Sequence, residues 1–227
     1  MTDSSPLSVL IIGASGRTGL EILQQLSQDH KKKEVHAFCR DPFKIPDQYK
    51  QFCQSVITGD ARDPDDIERA IDDSGSNVVI VCIGNGDSVA KSSVRTASAR
   101  ALADVMEKPK YHHVHALIVS STGAGTSKIK VGMGVGKIIS FHLRHVLQDH
   151  TGQEKAFGPV IDRTVIVRAT ALTDNKATGN VKEFGDKEKS PTIKIDRTDL
   201  AKWVVKEVCA SGPVGGKVVN ITGIKAK

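Results

Sequence analysis

The stretch Val9-Leu-Ile-Ile-Gly-Ala-Ser-Gly-Arg-Thr-Gly-Leu20 decides the fold. It runs an apolar strand into a glycine-spaced turn and then into a helix: Leu7 to Ile12 reads as a buried strand, and Leu20, Ile22, Leu23 and Leu26 recur at helical spacing. Gly13 lets the chain leave the strand sharply, Gly16 lets backbone come close to an anion, and Gly19 removes a side chain where the following helix presses on the sheet. The helix start offers unpaired N–H groups and the positive end of its dipole, so the pattern predicts a turn that holds a dinucleotide pyrophosphate. The spacing is GxxGxxG rather than the commoner GxGxxG, and a glycine-rich turn with no ligand is the plainer alternative.

Outward from this turn, strand and helix patterns alternate, which predicts an α/β fold: a doubly wound, mainly parallel sheet in one Rossmann-type domain over residues 1–227. Glu34 to Arg40 reads as a second strand closed by Asp41-Pro42, and Ser55 to Thr58 as a third ending in Gly59-Asp60. Asp63 caps a helix with Pro64 in its first turn and Ile67, Ala70 and Ile71 inward. Asn77 to Ile83 is a fourth strand, followed by a helix from Ala90 to Glu107 with Val94, Ala97, Ala101 and Val105 on one side. The fifth strand, Val114 to Ser120, leads into a loop from Gly123 to Gly136 that is too polar to be buried and long enough to act as a lid or substrate wall. A helix from Lys137 to Gln148 with Ile139, Leu143 and Val146 inward precedes a sixth strand, Thr164 to Arg168. The remainder holds a short strand, Thr192 to Ile195, a helix from Thr198 with Leu200, Trp203, Val204 and Val208 inward, and a last strand, Lys217 to Ile221.

Composition narrows the possibilities further. The chain has 227 residues, 39% of them apolar, which suffices for one large core. The net charge of +6 is spread, and its one basic run, Lys31-Lys32-Lys33, falls where a helix-to-strand loop belongs; a solvated loop is expected rather than a nucleic-acid patch. The basic balance mildly favours a phosphorylated ligand. Four cysteines form no CxxC pair, and Cys39 and Cys82 fall in predicted buried strands, as reduced thiols of an intracellular protein would. No signal pattern opens the chain and no apolar run approaches the ~20 residues of a membrane span, so a cytoplasmic protein without membrane or metal partners is expected. The sequon Asn220-Ile221-Thr222 is then an accident of composition.

The polar clusters, namely Ser15 with Arg17, Arg40, Asp60, Gly84-Asn85, Ser120-Ser121 and Ala169-Thr170, all fall at predicted C-terminal strand ends, where a doubly wound sheet binds its ligand. Asp60 read by itself is a turn residue, and the serine pair merely ends a strand. Gly13-Ala-Ser-Gly-Arg-Thr-Gly19, Arg40, Gly59-Asp60 and the serine pair, together with Val165-Ile-Val-Arg-Ala169, Leu172-Thr173-Asp174 and Ile195-Asp-Arg-Thr-Asp-Leu-Ala201, resemble an atypical short-chain dehydrogenase/reductase of the NAD(P)-binding, NmrA-like group that includes the biliverdin/flavin reductase relatives. The resemblance covers nearly the whole chain. It implies strand order 3-2-1-4-5-6-7 and bound NADP(H). Carried over, Gly13, Gly16 and Gly19 form the turn, Ser15, Arg17 and Thr18 hold pyrophosphate or ribose, Arg40 the 2′-phosphate, and Asp60 with Ala61 the adenine. Ile83 and Gly84 pass beneath the ribose, while Ser120, Ser121, Ala169, Thr170 and Ala171 border the nicotinamide.

Departures from the resemblance bear on mechanism. The tyrosine-dependent members use a Tyr with a Lys four residues later, yet here Tyr49 is followed at that spacing by Cys53 and Tyr111 by His115. The biliverdin/flavin branch places a histidine after strand six, where this chain has Ala171. His142 and His145 read as solvated helix histidines. Two functions follow: an NADPH-dependent reductase of a flavin, quinone or carbonyl, with Ser121 as the catalytic residue holding the acceptor, or a non-catalytic NADP(H) sensor. The choice of NADP(H) rests on Arg40, which stands about 20 residues beyond the glycines, where an NAD site carries a carboxylate. Lys44 adds charge nearby and Asp41 argues the other way. Substrate, proton donor and oligomeric state are left open by the sequence.

Overall fold

A computed structural model describes residues 7–28, 33–130, 132–211 and 215–224. Its strands are β1 (Leu7–Ile12), β2 (Lys33–Cys39), β3 (Ser55–Thr58), β4 (Val78–Val81), β5 (His115–Ser121), β6 (Thr164–Ala169), β7 (Ala171–Thr173), β8 (Val181–Phe184), β9 (Lys194–Asp196) and β10 (Lys217–Gly223). Its helices are α1 (Arg17–Gln28), α2 (Asp47–Lys50), α3 (Pro64–Ser74), α4 (Val94–Glu107), α5 (Val135–His142), α6 (Arg144–Ala156) and α7 (Arg197–Ser211).

The main sheet runs β3-β2-β1-β4-β5-β6-β10-β8, parallel except for the antiparallel edge strand β8. This is the expected doubly wound sheet with order 3-2-1-4-5-6. The seventh place belongs to β10, because the strand expected near Thr192 pairs instead with β7 in a separate two-stranded sheet. β1 lies between β2 and β4 with Ile11 level with Ala37 and Ile80, so its C-terminal end, and the glycine turn after it, open at the middle of the sheet.

Strand alternation divides the core between two faces. Val9 and Ile11 of β1, with Val78, Ile80, Val165 and Val167, pack under α1 and α7 through Ile22, Leu23, Leu200, Val204 and Val208. Leu10 and Ile12, with Val79, Val81, Ile118 and Ile166, pack under α3 and α4 through Ile67, Ile71, Leu102 and Val105. The cap on α3 is the expected one: the Asp63 carboxylate accepts from Asp65 N at 3.0 Å, and Gly75 ends the helix at φ 58°.

Several details differ from the sequence reading. α4 begins at Val94 rather than Ala90, and Trp203 is only half-buried. The helix expected over 137–148 is two helices that meet at Leu143 (φ −91°, ψ 9°), and Ile139, Leu143 and Val146 are half-buried while Leu147 is the buried apolar residue. The start of the long loop is not the exposed segment that its polarity suggested. Ala124 is fully buried, Gly123 N donates to Ser127 Oγ at 2.8 Å, and Gly125 N donates to Thr151 Oγ1 at 3.0 Å. Of the basic run, Lys33 opens β2 and the other two lysines lie outside the described residues. Asn220 is buried and donates to Asp186 at 2.8 Å, which fits an accidental sequon. No described helix is long and apolar enough to cross a membrane.

Candidate functional site

A groove crosses the C-terminal ends of β1, β2, β4, β5 and β6 in two lobes of about 250 and 270 Å³ that share Gly16, Cys82, Ile83 and Gly84. The lobe over β2 and β3 is lined by Gly13, Ser15, Arg40, Asp60 and Ala61. The lobe over β5 and β6 is lined by Arg17, Thr18, Ser120, Ser121, Ala169, Thr170 and Ala171. Every residue to which the resemblance gives a site role thus lines one groove except Gly19, which lies beneath it. A Cβ at Gly19 would lie 2.7 Å from Ala14 Cα and closer still to the Gly13 carbonyl, so the helix reaches the turn only because no side chain intervenes. Gly13 itself has φ 89°, the sharp exit from β1. Asn85, singled out with Gly84, does not line the groove.

α1 starts at the junction of the lobes with no acidic residue in its first turn. Its first N–H groups have no helical acceptor, and its one acid, Glu21, lies beyond the first turn. A second helix start also lines the groove, through Val94, Arg95 and Ser98. α4 has no side-chain cap of its own; Asp149 of α6 supplies one, accepting from Arg95 N at 3.2 Å, Thr96 N at 3.0 Å and Thr96 Oγ1 at 2.9 Å. The same carboxylate pairs with the Arg95 guanidinium at 3.3 Å, and both side chains are buried.

The lobe over β2 and β3 is electropositive. Arg40, Lys44 and Arg62 line it against one acid, Asp60. The Asp60 carboxylate is held by Arg62, and that hydrogen bond, outweighing desolvation, brings its pKa down to about 2. Asp41 does not line the lobe, although one of its oxygens lies 3.8 Å from Lys44 Nζ. It accepts from Phe43 N at 3.1 Å to cap the short turn Pro42–Lys44.

The lobe over β5 and β6 carries Arg17, Arg95 and Arg197, Cys82 and one imidazole, His150. Arg17 and Arg197 both pair with Asp174, and Arg197 Nε donates to Thr18 Oγ1 at 3.2 Å. His150 Nδ1 lies 3.1 Å from the Gln153 side-chain amide, which holds the ring in place. Burial, reinforced by the Arg95 charge, pushes the His150 pKa down to about 4, so the ring is neutral at pH 7. Cys82 donates to the Ile12 carbonyl at 3.4 Å, and burial pushes its pKa up to about 12.

The two serines differ. Ser120 Oγ donates to Glu154 Oε1 at 2.7 Å, and Glu154 in turn pairs with Arg168 at 2.7 Å, buried on both sides. Arg168 also pairs with Asp186 at 2.9 Å. Ser121 Oγ makes only a 3.2 Å contact with the Thr122 carbonyl and is free to turn toward a ligand. Neither tyrosine reaches the groove. Tyr49 OH donates to Gln24, and Tyr111, at the opposite end of β5, meets Glu68 and Asp72 at 3.0 Å each. His142 is exposed as expected, whereas His145 is half-buried.

Sequence reasoning missed Arg62, Arg95, His150 and Glu154. One signal was present: His150 and Glu154 stand four apart on a helix, with Asp149 and Gln153 beside them, so a polar rather than apolar face turns inward.

Comparison with known proteins agrees with this architecture. A sterol-4-alpha-carboxylate 3-dehydrogenase (decarboxylating) of Saccharomyces cerevisiae is 42% identical over 81 residues, 33% of this chain and 23% of that protein. The match therefore spans less than a quarter of the curated relative. Among solved structures, a short-chain dehydrogenase/reductase from Veillonella parvula superposes with a TM-score of 0.75 at 14% identity, covering 98% of this chain and 99% of that one. An anaerobillin reductase from Escherichia coli gives 0.72 at 18%, covering 97% and 98%. A wide-type short-chain dehydrogenase/reductase from Veillonella parvula in complex with NADP gives 0.68 at 13%, covering 96% and 95%. At these identities the likeness is one of fold, and it fits the resemblance to atypical short-chain dehydrogenases/reductases. A family model described as NAD(P)H-binding matches residues 13–210, most of the chain, and the chain belongs to that family.

Proposed function

We propose that the chain is an NADPH-dependent reductase. The observation that carries this reading is the groove's division of labour: a cationic lobe with no carboxylate free to meet a ribose 2′-hydroxyl, joined at a helix N-terminus to a lobe that presents Ser121 and a neutral imidazole. The groove fits the cofactor by its own chemistry. The first N–H groups of α1 with Arg17 and Thr18 hold the pyrophosphate, Arg40 and Lys44 the 2′-phosphate, Ala61 the adenine, and Ser121 with Ala169, Thr170 and Ala171 the nicotinamide end. Asp60 contributes to this lobe through Arg62, and Ser120 acts by holding Glu154. The bound cofactor supplies the hydride. The chain's residues orient the partners: Ser121 Oγ hydrogen-bonds the acceptor, and the neutral His150 ring hydrogen-bonds the ligand.

A second reading, a sensor of NADP(H), has its own support in the protonation of the lobe over β5 and β6: His150 is already neutral at pH 7 and burial keeps the Cys82 thiol protonated, so neither is poised to give up a proton. One experiment separates them. Dissociation constants for NADPH and NADH are measured for the parent and Arg40→Ala, and NADPH oxidation is screened with flavins, quinones and small carbonyls for the parent, Ser121→Ala and Tyr111→Phe. Losing one or two charged hydrogen bonds should weaken NADPH by about tenfold to a hundredfold and leave NADH nearly unchanged. Ser121→Ala should lose turnover while Tyr111→Phe keeps it. Equal affinity for both cofactors would defeat the NADP(H) assignment, and saturable binding without turnover across the panel would favour the sensor.

A further inference from the structure

A third cavity, larger than either lobe of the groove, opens beside it. It measures about 700 Å³ and is bounded by Gly123, Ile129, the first two turns of α5 and Lys189. Gly123 is two residues beyond Ser121, so the cleft begins within about 7 Å of the Ser121 backbone. Among the described residues four lysines, Lys128, Lys130, Lys137 and Lys189, line it and no acidic residue does. Among the described residues Lys128, Lys137 and Lys189 make no ion pair, and Lys130 Nζ donates to the Lys187 carbonyl at 2.5 Å. Between the ammonium groups the wall is apolar, built from Ile129 and the lysine stems, which lie along such surfaces while their heads stay wet.

Four like charges around an apolar hollow repel one another and lower stability unless something negative joins them. We propose that this cleft binds the body of the hydride acceptor, an apolar, ring-sized molecule bearing one or more carboxylate, sulfonate or phosphate groups that the lysines hold, with its reducible end at Ser121. The inference rests on the reductase reading for the word acceptor; the anion site stands on the lysines alone.

The test uses a turnover-independent probe and a turnover pair. The full chain is titrated with 8-anilinonaphthalene-1-sulfonate and with its uncharged analogue N-phenyl-1-naphthylamine, and NADPH oxidation is followed with 1,4-naphthoquinone and 1,4-naphthoquinone-2-sulfonate. The same measurements are made on the double variant Lys137→Gln/Lys189→Gln, whose unchanged NADPH dissociation constant serves as the folding control. The sulfonated probe should bind tighter than the neutral one in the parent, lose about fivefold or more in the variant, and weaken with salt, while the neutral probe is unaffected. The KM for the sulfonated quinone should rise by a similar factor at unchanged kcat. Lysine-dependent probe binding without any NADPH oxidation would keep the site and sink the reductase reading. Turnover with no charge discrimination, or equal binding of both probes before and after substitution, would overturn the proposed site.

Discussion

His150 is neutral because desolvation and the nearby Arg95 charge oppose a second cation, and this couples the groove to acid stability. Its folded pKa, about 4, lies below the unfolded value near 6.5, so between those values the unfolded chain binds the extra proton and folding weakens as pH falls. His36 and His115, also lowered by burial, act in the same direction. Urea unfolding at pH 7.5 and pH 5 should show His150 costing about 2 kcal/mol over that interval, and His150→Gln should shed that part of the loss. An unchanged pH dependence in the variant would show that the ring ionises freely. Arg62 makes a second prediction at this scale. Although it is read as neutralising Asp60 rather than touching the cofactor, Arg62→Ala leaves that carboxylate bare beside Arg40. NADPH affinity should fall severalfold with NADH much less affected, and equal losses would place Asp60 elsewhere in recognition.

At the scale of elements, α6 organises both halves of the ligand-facing surface by burying polar side chains. Asp149 caps α4 and holds Arg95; Glu154 holds Ser120 and Arg168. Removing one member of a buried pair strands the other, so Asp149→Ala should cost about 3 kcal/mol, measured as a lowered urea midpoint, while Asp149→Asn, which keeps a capping oxygen, should cost less. A loss below about 0.5 kcal/mol in both would show that α4 needs no cap from α6. This is also why α5 and α6 were hard to read. Helix periodicity is visible when the inward face is apolar, as in α1, α3 and α7, and α6 turns Asp149, His150, Gln153 and Glu154 inward instead. The break at Leu143 then gave no apolar phase change to notice. By contrast, the glycine turn and the sites at strand ends were legible, because backbone demands at Gly13 and Gly19 admit few other residues. Arg40 and Asp60 could be placed in the groove because they follow β2 and β3 closely, whereas the pairing of Asp60 with Arg62 is a side-chain choice that spacing does not encode.

For the molecule as a whole, the order of strands was legible through β6, and the place of β10 was not, because insertion of a strand between β6 and an antiparallel edge is a long-range pairing without a local signal. β8 has β10 as its neighbour in the sheet, and Asp186, just beyond β8, is held by Asn220 of β10 as well as by Arg168. A chain ended at residue 214 should therefore keep β1 to β5 protected from limited proteolysis and become cleavable within 174–196; equal protection there would show that β8 docks without β10. The arrangement sets a schedule for synthesis. The part of the sheet that carries Arg40 and Asp60 has all its strands before residue 122 and is able to form while the chain is still growing. The part that carries Arg168 and Asp186 waits for β10, residues 217–223, to leave the ribosome, so a chain stalled before them would own a nearly complete cationic lobe and an unfinished wall beside it.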